Sequence, residues 1–298
     1  MNIKVQEILD KIKLVDFKGN NSIEISEIIQ IDTENTKQNI LCWCSDKNKE
    51  LLLNVKAGTY IISKNIETNY LKNNCNYIIV DNPRRTFQEI LSIFFIKKTK
   101  AKISASAKID KTVELGKNIF IGENVVIEEN CKIGNNTIIQ HNTVIFKNIN
   151  IGNNVVIGAN NTIGGIGFGY EKDENNDFQL IPHIGNVVLK NNVEIGNNTT
   201  IDRAVLGSTI LEENVKVDNL VHIAHGVKIG RNSVVIANSM IAGSVNIGEN
   251  TWIAPSASIL NQKSVGHNSL VGMGSVVLKD VGNNEIVAGS PAKFLKNI

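Results

Sequence analysis

Aromatic side chains make up only 5% of this 298-residue chain, so its core cannot rest on large rings and must be filled by aliphatics. Cysteine is sparse. Cys42, Cys44, Cys75 and Cys131 form no CxxC pair and no metal-ligand spacing, so reduced, mostly buried thiols are expected. Charge of one sign is missing too: 31 lysines and arginines face 29 acidic residues, a net charge of +2. The lysines are scattered and form no dense basic stripe, which argues against nucleic acid. The longest apolar run, Ile90 to Ile96, is far too short to span a bilayer, and the opening MNIKVQEILD lacks the apolar core of a signal peptide. A cytoplasmic protein without membrane insertion is expected.

What the chain does have is a period of six. Ile103, Ile109, Leu115, Ile121, Ile127, Ile133, Ile139, Ile145, Ile151, Ile157 and Ile163 follow one another at that spacing, and a second unbroken series runs from Leu211 through Ile223 and Ile241 to Val277. Six fits neither a helical nor a simple strand period, so the unit is a short strand plus a turn, stacked as a three-sided parallel β-helix with the aliphatic residue inward. Glycine often follows the inward residue, as in Ile133-Gly134 and Ile247-Gly248, and Asn pairs such as Asn135-Asn136 often come next. Both residue types tolerate the positive φ that a tight corner needs.

Three regions follow. Residues 1–100 show a mixed pattern: a helical opening at Val5–Leu14, strand-like runs at Ile40–Cys44, Tyr60–Ile62 and Tyr77–Val80, and a helix from Asn82-Pro83 to about Lys97. That predicts a small α/β domain. The solenoid spans 101–280, broken at 164–186 by GGIGFGYEKDENNDFQLIPHIGN, which must leave the coil as a loop and is a natural carrier of function. Residues 281–298 form a C-terminal cap.

The stretch IGNNTTIDRAVLGSTI…VKVDNLVHIAHGVKIG, together with the GFGY insert and IPHIG, resembles the UDP-3-O-acylglucosamine N-acyltransferases of lipid A synthesis. The VDNPRRTF helix start looks like that family's nucleotide-binding domain, so the likeness covers nearly the whole chain. The resemblance implies a left-handed parallel β-helix, a homotrimer, and transfer of an acyl group from a carrier thioester to the amine of a nucleotide-linked sugar. It also implies that the His of the IAH motif, His225 here, is the base, and that Gly243 in IAGS, three coils above, offers its amide to the oxyanion.

The residues fit that chemistry in their own right. An amine attacks a thioester when neutral and then sheds a proton, so a base titrating near neutrality is wanted, and histidine supplies one. His225 lies two residues beyond the inward Ile223, which points it outward at a corner, with Asn219 at the same phase one coil below and Asp218 as a nearby carboxylate for the imidazole or a sugar hydroxyl. His183 in the insert is a candidate for a sugar or phosphate, and Phe168 and Tyr170 for lining the groove. His141, His222 and His267 are expected to be structural. A metal is rejected because no three histidines share a phase.

Departures from the family shape the rest of the expectation. Where it places a second active-site His, this chain has Asn261-Gln262, and Gln262 can hold a carbonyl or hydroxyl but cannot shuttle a proton. Where it sandwiches uracil, this chain reads LCWCSDKNKE, leaving Trp43 to stack a base or to fill a strand's core. The ending VAGSPAKFLKNI looks like the coenzyme A dependent hexapeptide acetyltransferases, so Gly272, Gly274 and Ser275 would let pantetheine approach and Lys293 would supply charge, unless the segment only closes the solenoid's end. The expected function is therefore N-acylation of a dTDP- or UDP-linked amino-6-deoxyhexose for a surface glycan such as O-antigen, with an acyl-CoA thioester as co-substrate and no tightly bound cofactor. The lipid A N-acyltransferase using acyl carrier protein, and a non-catalytic trimeric scaffold, are the alternatives.

Overall fold

The computed structural model describes residues 2–32, 34, 36–97 and 99–297, and the chain divides into two compact units, Met1–Lys98 and Thr99–Ile298.

In the first unit the described strands build a five-stranded mixed sheet in which Thr59–Ser63 is central, parallel to both Ile40–Trp43 and Asn76–Val80. Thr59–Ser63 and Asn76–Val80 are buried along their whole length, as strands covered on both faces are. The opening helix is shorter than its apolar pattern suggests, Val5–Leu9. The second starts as expected: Pro83 occupies its first turn and the Asn82 side chain accepts a hydrogen bond from the Arg85 N–H at 3.1 Å. It runs as α-helix over Pro83–Ile90 and loosens into a π turn at Leu91–Phe95. Trp43 packs against Phe87 of this helix, with ring centroids 6.5 Å apart.

The second unit is the solenoid. Phe120 pairs with Ile138 and Val126 with Val144 in parallel register, so three hexads, eighteen residues, complete one coil. Three faces result. The first runs from Lys102–Ile103 to Leu270–Val271, the second from Lys108–Ile109 to Val276–Val277, and the third from Glu114–Leu115 to Ser264–Val265. The inward aliphatics, with a second inward column at Ile119, Val125, Cys131, Ile149 and Val155, form one continuous buried core. Where that second column is polar it is satisfied: the hydroxyls of Thr143, Ser233 and Thr251 donate to the carbonyls of Gly158, Gly248 and Gly266. Removing one inward isoleucine costs about 2–5 kcal/mol in a core of this kind.

At the solenoid's far end Glu285–Ala288 joins the first face and pairs antiparallel with Lys293–Asn297, which covers the last coil's edge. All four cysteines are free and buried. Burial pushes the Cys42 and Cys44 thiols up to about 12 and about 11 respectively, which leaves them inert near neutrality.

Candidate functional site

The regular coil is interrupted at one edge only, between the second and third faces, among the described residues. After Thr162–Gly165 the chain leaves the prism at Gly164, whose φ is +86°, and forms a hairpin of Tyr170–Lys172 with Phe178–Leu180 before rejoining the third face at Asn186–Leu189. One coil later the same edge bulges again at 203–207, because Thr200 pairs with His222 rather than with a residue eighteen further on. His225 sits on this edge directly above the second bulge. Gly243 lies on it one coil higher, since His222 pairs with Met240, and Gln262 follows one coil above that, donating its N–H to the Gly243 carbonyl at 2.9 Å. The expected distance of three coils from His225 to Gly243 is therefore three hexads, one coil.

His225 is half-buried, and neither ring nitrogen is bonded to the protein among the described residues. Its pKa is held below the ordinary imidazole value by burial first and by the neighbouring His183 ring second. The ring packs close against Gly243: a Cβ there would come within 2.6 Å of His225 Nε2 and 2.7 Å of Cε1, so only glycine leaves room for this base. Among the described residues the Gly243 N–H finds no acceptor, and such a free amide beside a base is what a developing oxyanion requires.

His183 comes from the insert and meets His225 edge to face, centroids 5.3 Å apart at 83°. Gly167 closes over both rings, where a Cβ would lie 3.1 Å from His183 Nε2 and 3.2 Å from His225 Cδ2. Phe168 and Tyr170, at the start of the hairpin, meet at a tilt of 57° with centroids 4.9 Å apart, and both are exposed, Phe168 to 86%, so both are free to meet a ligand. Behind His183 a cleft of about 650 Å³ is walled by Phe146, Ile166, Leu180, Ile184 and Arg203.

Two charged residues of the TTIDR stretch belong to the site and escape a reading by period. Arg203 is 4% exposed; its Nε donates to the Gly164 carbonyl at 2.6 Å and its Nη2 to the Lys147 carbonyl at 3.2 Å, which ties down the start of the insert. Asp202 is nearly as buried and lies 3.6 Å from His222 Nε2. Burial raises its carboxyl pKa, with His222 and His183 partly opposing. The available signal was an acid and a base side by side in a stretch that no longer keeps the hexad.

Other expected residues lie elsewhere. Asp218 and Asn219 occupy the edge between the first and second faces, so Asn219 is not one coil below His225 but one edge away. Asp218 accepts from Asn219 N at 2.7 Å and Ala237 N at 3.2 Å, and Asn219 Oδ1 accepts from Asn197 N at 2.6 Å. Gly272, Gly274 and Ser275 lie on that same edge near the solenoid's end. Gly274, with φ +64° and open space around it, is accessible, and Gly272 packs beneath Ala288. Ser275 is fully buried with its hydroxyl accepting from Gly289 N, which corrects its assignment as a cofactor contact. Lys293 is exposed on the capping strand. Trp43 commits one side of its ring to the first unit's core. His141 and His267 serve the corners: each Nδ1 accepts a backbone N–H from the coil below, of Glu123 and Glu249. No group of three or more His, Cys, Asp or Glu able to hold a metal is present among the described residues, and none of their helices is long and apolar enough to cross a membrane.

The family described as Bacterial transferase hexapeptide (six repeats) matches residues 112–147 and 208–243. The chain is 43% identical over 254 residues to the UDP-3-O-acylglucosamine N-acyltransferase of Campylobacter lari, covering 81% of this chain and 78% of that protein. Proteins of the same name from Christiangramia forsetii and Cytophaga hutchinsonii are each 52% identical over shorter stretches, and there the chain spans 38% and 23% of the relative's length. Among solved structures, the UDP-N-acetylglucosamine acyltransferase of Bacteroides fragilis aligns with a TM-score of 0.61 at 26% identity over 66% of this chain and 74% of that one. That of Campylobacter jejuni aligns with a TM-score of 0.60 at 24% identity over 66% and 75%, a likeness of fold alone.

Proposed function

Because the chain belongs to the UDP-3-O-acylglucosamine N-acyltransferase family, we propose that it transfers an acyl group from a thioester to the amine of a UDP-linked 3-O-acylglucosamine. The name shared by the curated relatives favours this acceptor over the amino-6-deoxyhexose expected from the sequence. One observation carries the proposal: an imidazole at a prism edge, held neutral by burial, with a free backbone N–H beneath it.

In this reading His225 takes a proton from the nitrogen as it attacks the thioester carbonyl carbon. The C–N bond forms, the Gly243 N–H faces the oxygen that gains charge, and the C–S bond then breaks, the thiolate leaving with a proton from the imidazolium. Phe168 and Tyr170 line the groove, and Gln262 holds a carbonyl or hydroxyl one coil above Gly243. Asp218 and Asn219 position the sugar from a second subunit, because their edge is not that of His225 in one chain; a homotrimer, with the same contact repeated about a threefold axis, supplies the pairing.

A second reading retains acyl-CoA as donor and rests on the accessible turn at Gly274 and the exposed Lys293. Turnover assays with the UDP-sugar acceptor and either acyl carrier protein or short acyl-CoA as donor separate the two. His225→Ala should lower kcat by about a hundredfold or more with an unchanged melting curve. A wild-type protein inert toward the UDP-linked amine, or a fully active alanine variant, would sink the proposal.

A further inference from the structure

His183 carries an atom that the reaction as written does not use. Its Nδ1 lies 2.7 Å from the Ile181 carbonyl oxygen, and because a carbonyl only accepts, Nδ1 bears the proton. The geometry is enforced locally: Ile181 precedes Pro182, which biases it to extended backbone and brings its carbonyl within reach of the ring two residues on. In the neutral ring Nε2 is then a bare lone pair. It is buried and has no hydrogen-bond partner, and His183 as a whole is 7% exposed. An acceptor so placed is a cost to folding unless something uses it.

The rings of His183 and His225 meet nearly perpendicular at 5.3 Å, and Gly167 seals the pair from above with no side chain to intrude. His225 has two ring nitrogens. On its other side Gly243 leaves no more room, since a Cβ would already collide with the imidazole. The ring is therefore clamped by glycine on one side and by a histidine presenting an unused acceptor on the other.

We propose that His183 is a positioning residue for His225: its Nε2 lone pair receives the N–H of His225 when the imidazole has taken the proton of the attacking amine. The inference rests on the reading of His225 as the base. Cδ2 is the His225 ring atom that shares the Gly167 contact with His183 Nε2, so a half-turn about the broad terminal ring torsion, which puts Nδ1 in its place and keeps the ring plane between its neighbours, makes the contact. His183 neither takes nor gives a proton; the proton travels from the amine nitrogen to His225 and on to the departing thiolate. The arrangement follows a common logic of bases, in which the nitrogen not facing substrate is tied by a second group that fixes tautomer and direction.

The test compares His183→Leu, which fills the space without an acceptor, with His183→Gln, whose amide oxygen can accept. For the leucine variant kcat should fall by about tenfold or more with KM for both substrates within about twofold, and glutamine should recover most of the loss. Unchanged kcat in the leucine variant, a rise in KM in place of a fall in kcat, or equal losses in two folded variants would each overturn the assignment. If wild-type protein fails to acylate the UDP-linked amine, the function proposed above falls instead, and the pairing is still read from the imidazole nitrogen resonances of His225 in the free protein at acid pH, where the imidazole carries its second proton. These should move in the leucine variant, and identical spectra would overturn the pairing.

Discussion

Two edges of the same prism use their side chains in opposite ways. On the edge between the third and first faces, Asn214, Asn232, Asn250, Asn268 and Asn284 all sit at positive φ, and each amide donates to the next, at 2.9, 3.2, 3.3 and 3.2 Å. That edge spends its polar groups on itself. On the edge between the second and third faces the equivalent corners are Gly226, Ser244 and Gln262, the ladder is absent, and an insert and a bulge leave the coil. There an imidazole and an amide N–H remain unspent. The coil's regularity is a means of satisfying the backbone, and chemistry becomes available where the regularity is given up.

Glycine substitutions on the two edges should separate these roles. The heavy atoms nearest a Cβ on Gly243 are those of the His225 ring, the closest at 2.6 Å, and not backbone, so Gly243→Ala displaces the ring at little cost to the fold. Activity should fall by about a hundredfold, the penalty of a misplaced catalytic group, with the melting temperature nearly unchanged. A Cβ on Gly248 of the ladder edge meets backbone, 2.6 Å from His267 N and 2.7 Å from Gly266 C. Gly248→Ala should lose about 1–3 kcal/mol of stability to overpacking while its folded fraction keeps wild-type turnover. If the two variants exchanged phenotypes, the distinction between the edges would be wrong.

The hexad made the fold legible and concealed which edge each residue occupies. A period of six marks every inward side chain, because each face imposes the same demand, but three faces share that period. Asn219 and His225 thus look alike in sequence yet stand on different edges, and Gly272 to Ser275 fall with Asp218 and away from His225. The insert was visible as a break, and His225 as an outward residue at a corner. Asp202 and Arg203 were not visible as buried groups, because nothing in the coil buries them. The insert does so, through the contact of Arg203 with the carbonyl of Gly164.

Acid sharpens the comparison further. A base works in its neutral form, and burial lowers the pKa of His225, so kcat/KM should hold as pH falls through about 6.5, the ordinary imidazole value, and decline only below it. The same shift has a cost for stability. Between the lowered pKa and the ordinary value the unfolded chain binds more protons than the folded one, so stability is present above the ordinary value and is progressively lost as pH falls below it. Denaturant melts across that range should show less of this loss in His225→Ala. An acid limb above the ordinary value would mean that the imidazole is stabilised as a cation and is not the free base.

The smallest effect tests the ladder principle where it fails without a bulge. On the edge between the first and second faces, Asn198 and Asn238 occupy positive-φ corners, and between them stands Leu220, at φ +59° and 59% exposed. Leucine has no side-chain hydrogen bond with which to offset that conformation and gains little from contact there. Leu220→Asn should raise stability by about 1 kcal/mol, seen as a higher melting temperature, by relieving the corner and placing an amide between those of Asn198 and Asn238. Turnover is the second readout, because Leu220 adjoins Asp218 and Asn219. A stabilised variant with lower turnover would mean that the exposed leucine meets a neighbouring subunit or a substrate. No gain in stability at all would mean that the backbone of this corner is set by the stacked coils above and below it, and that the asparagines elsewhere follow that geometry without causing it.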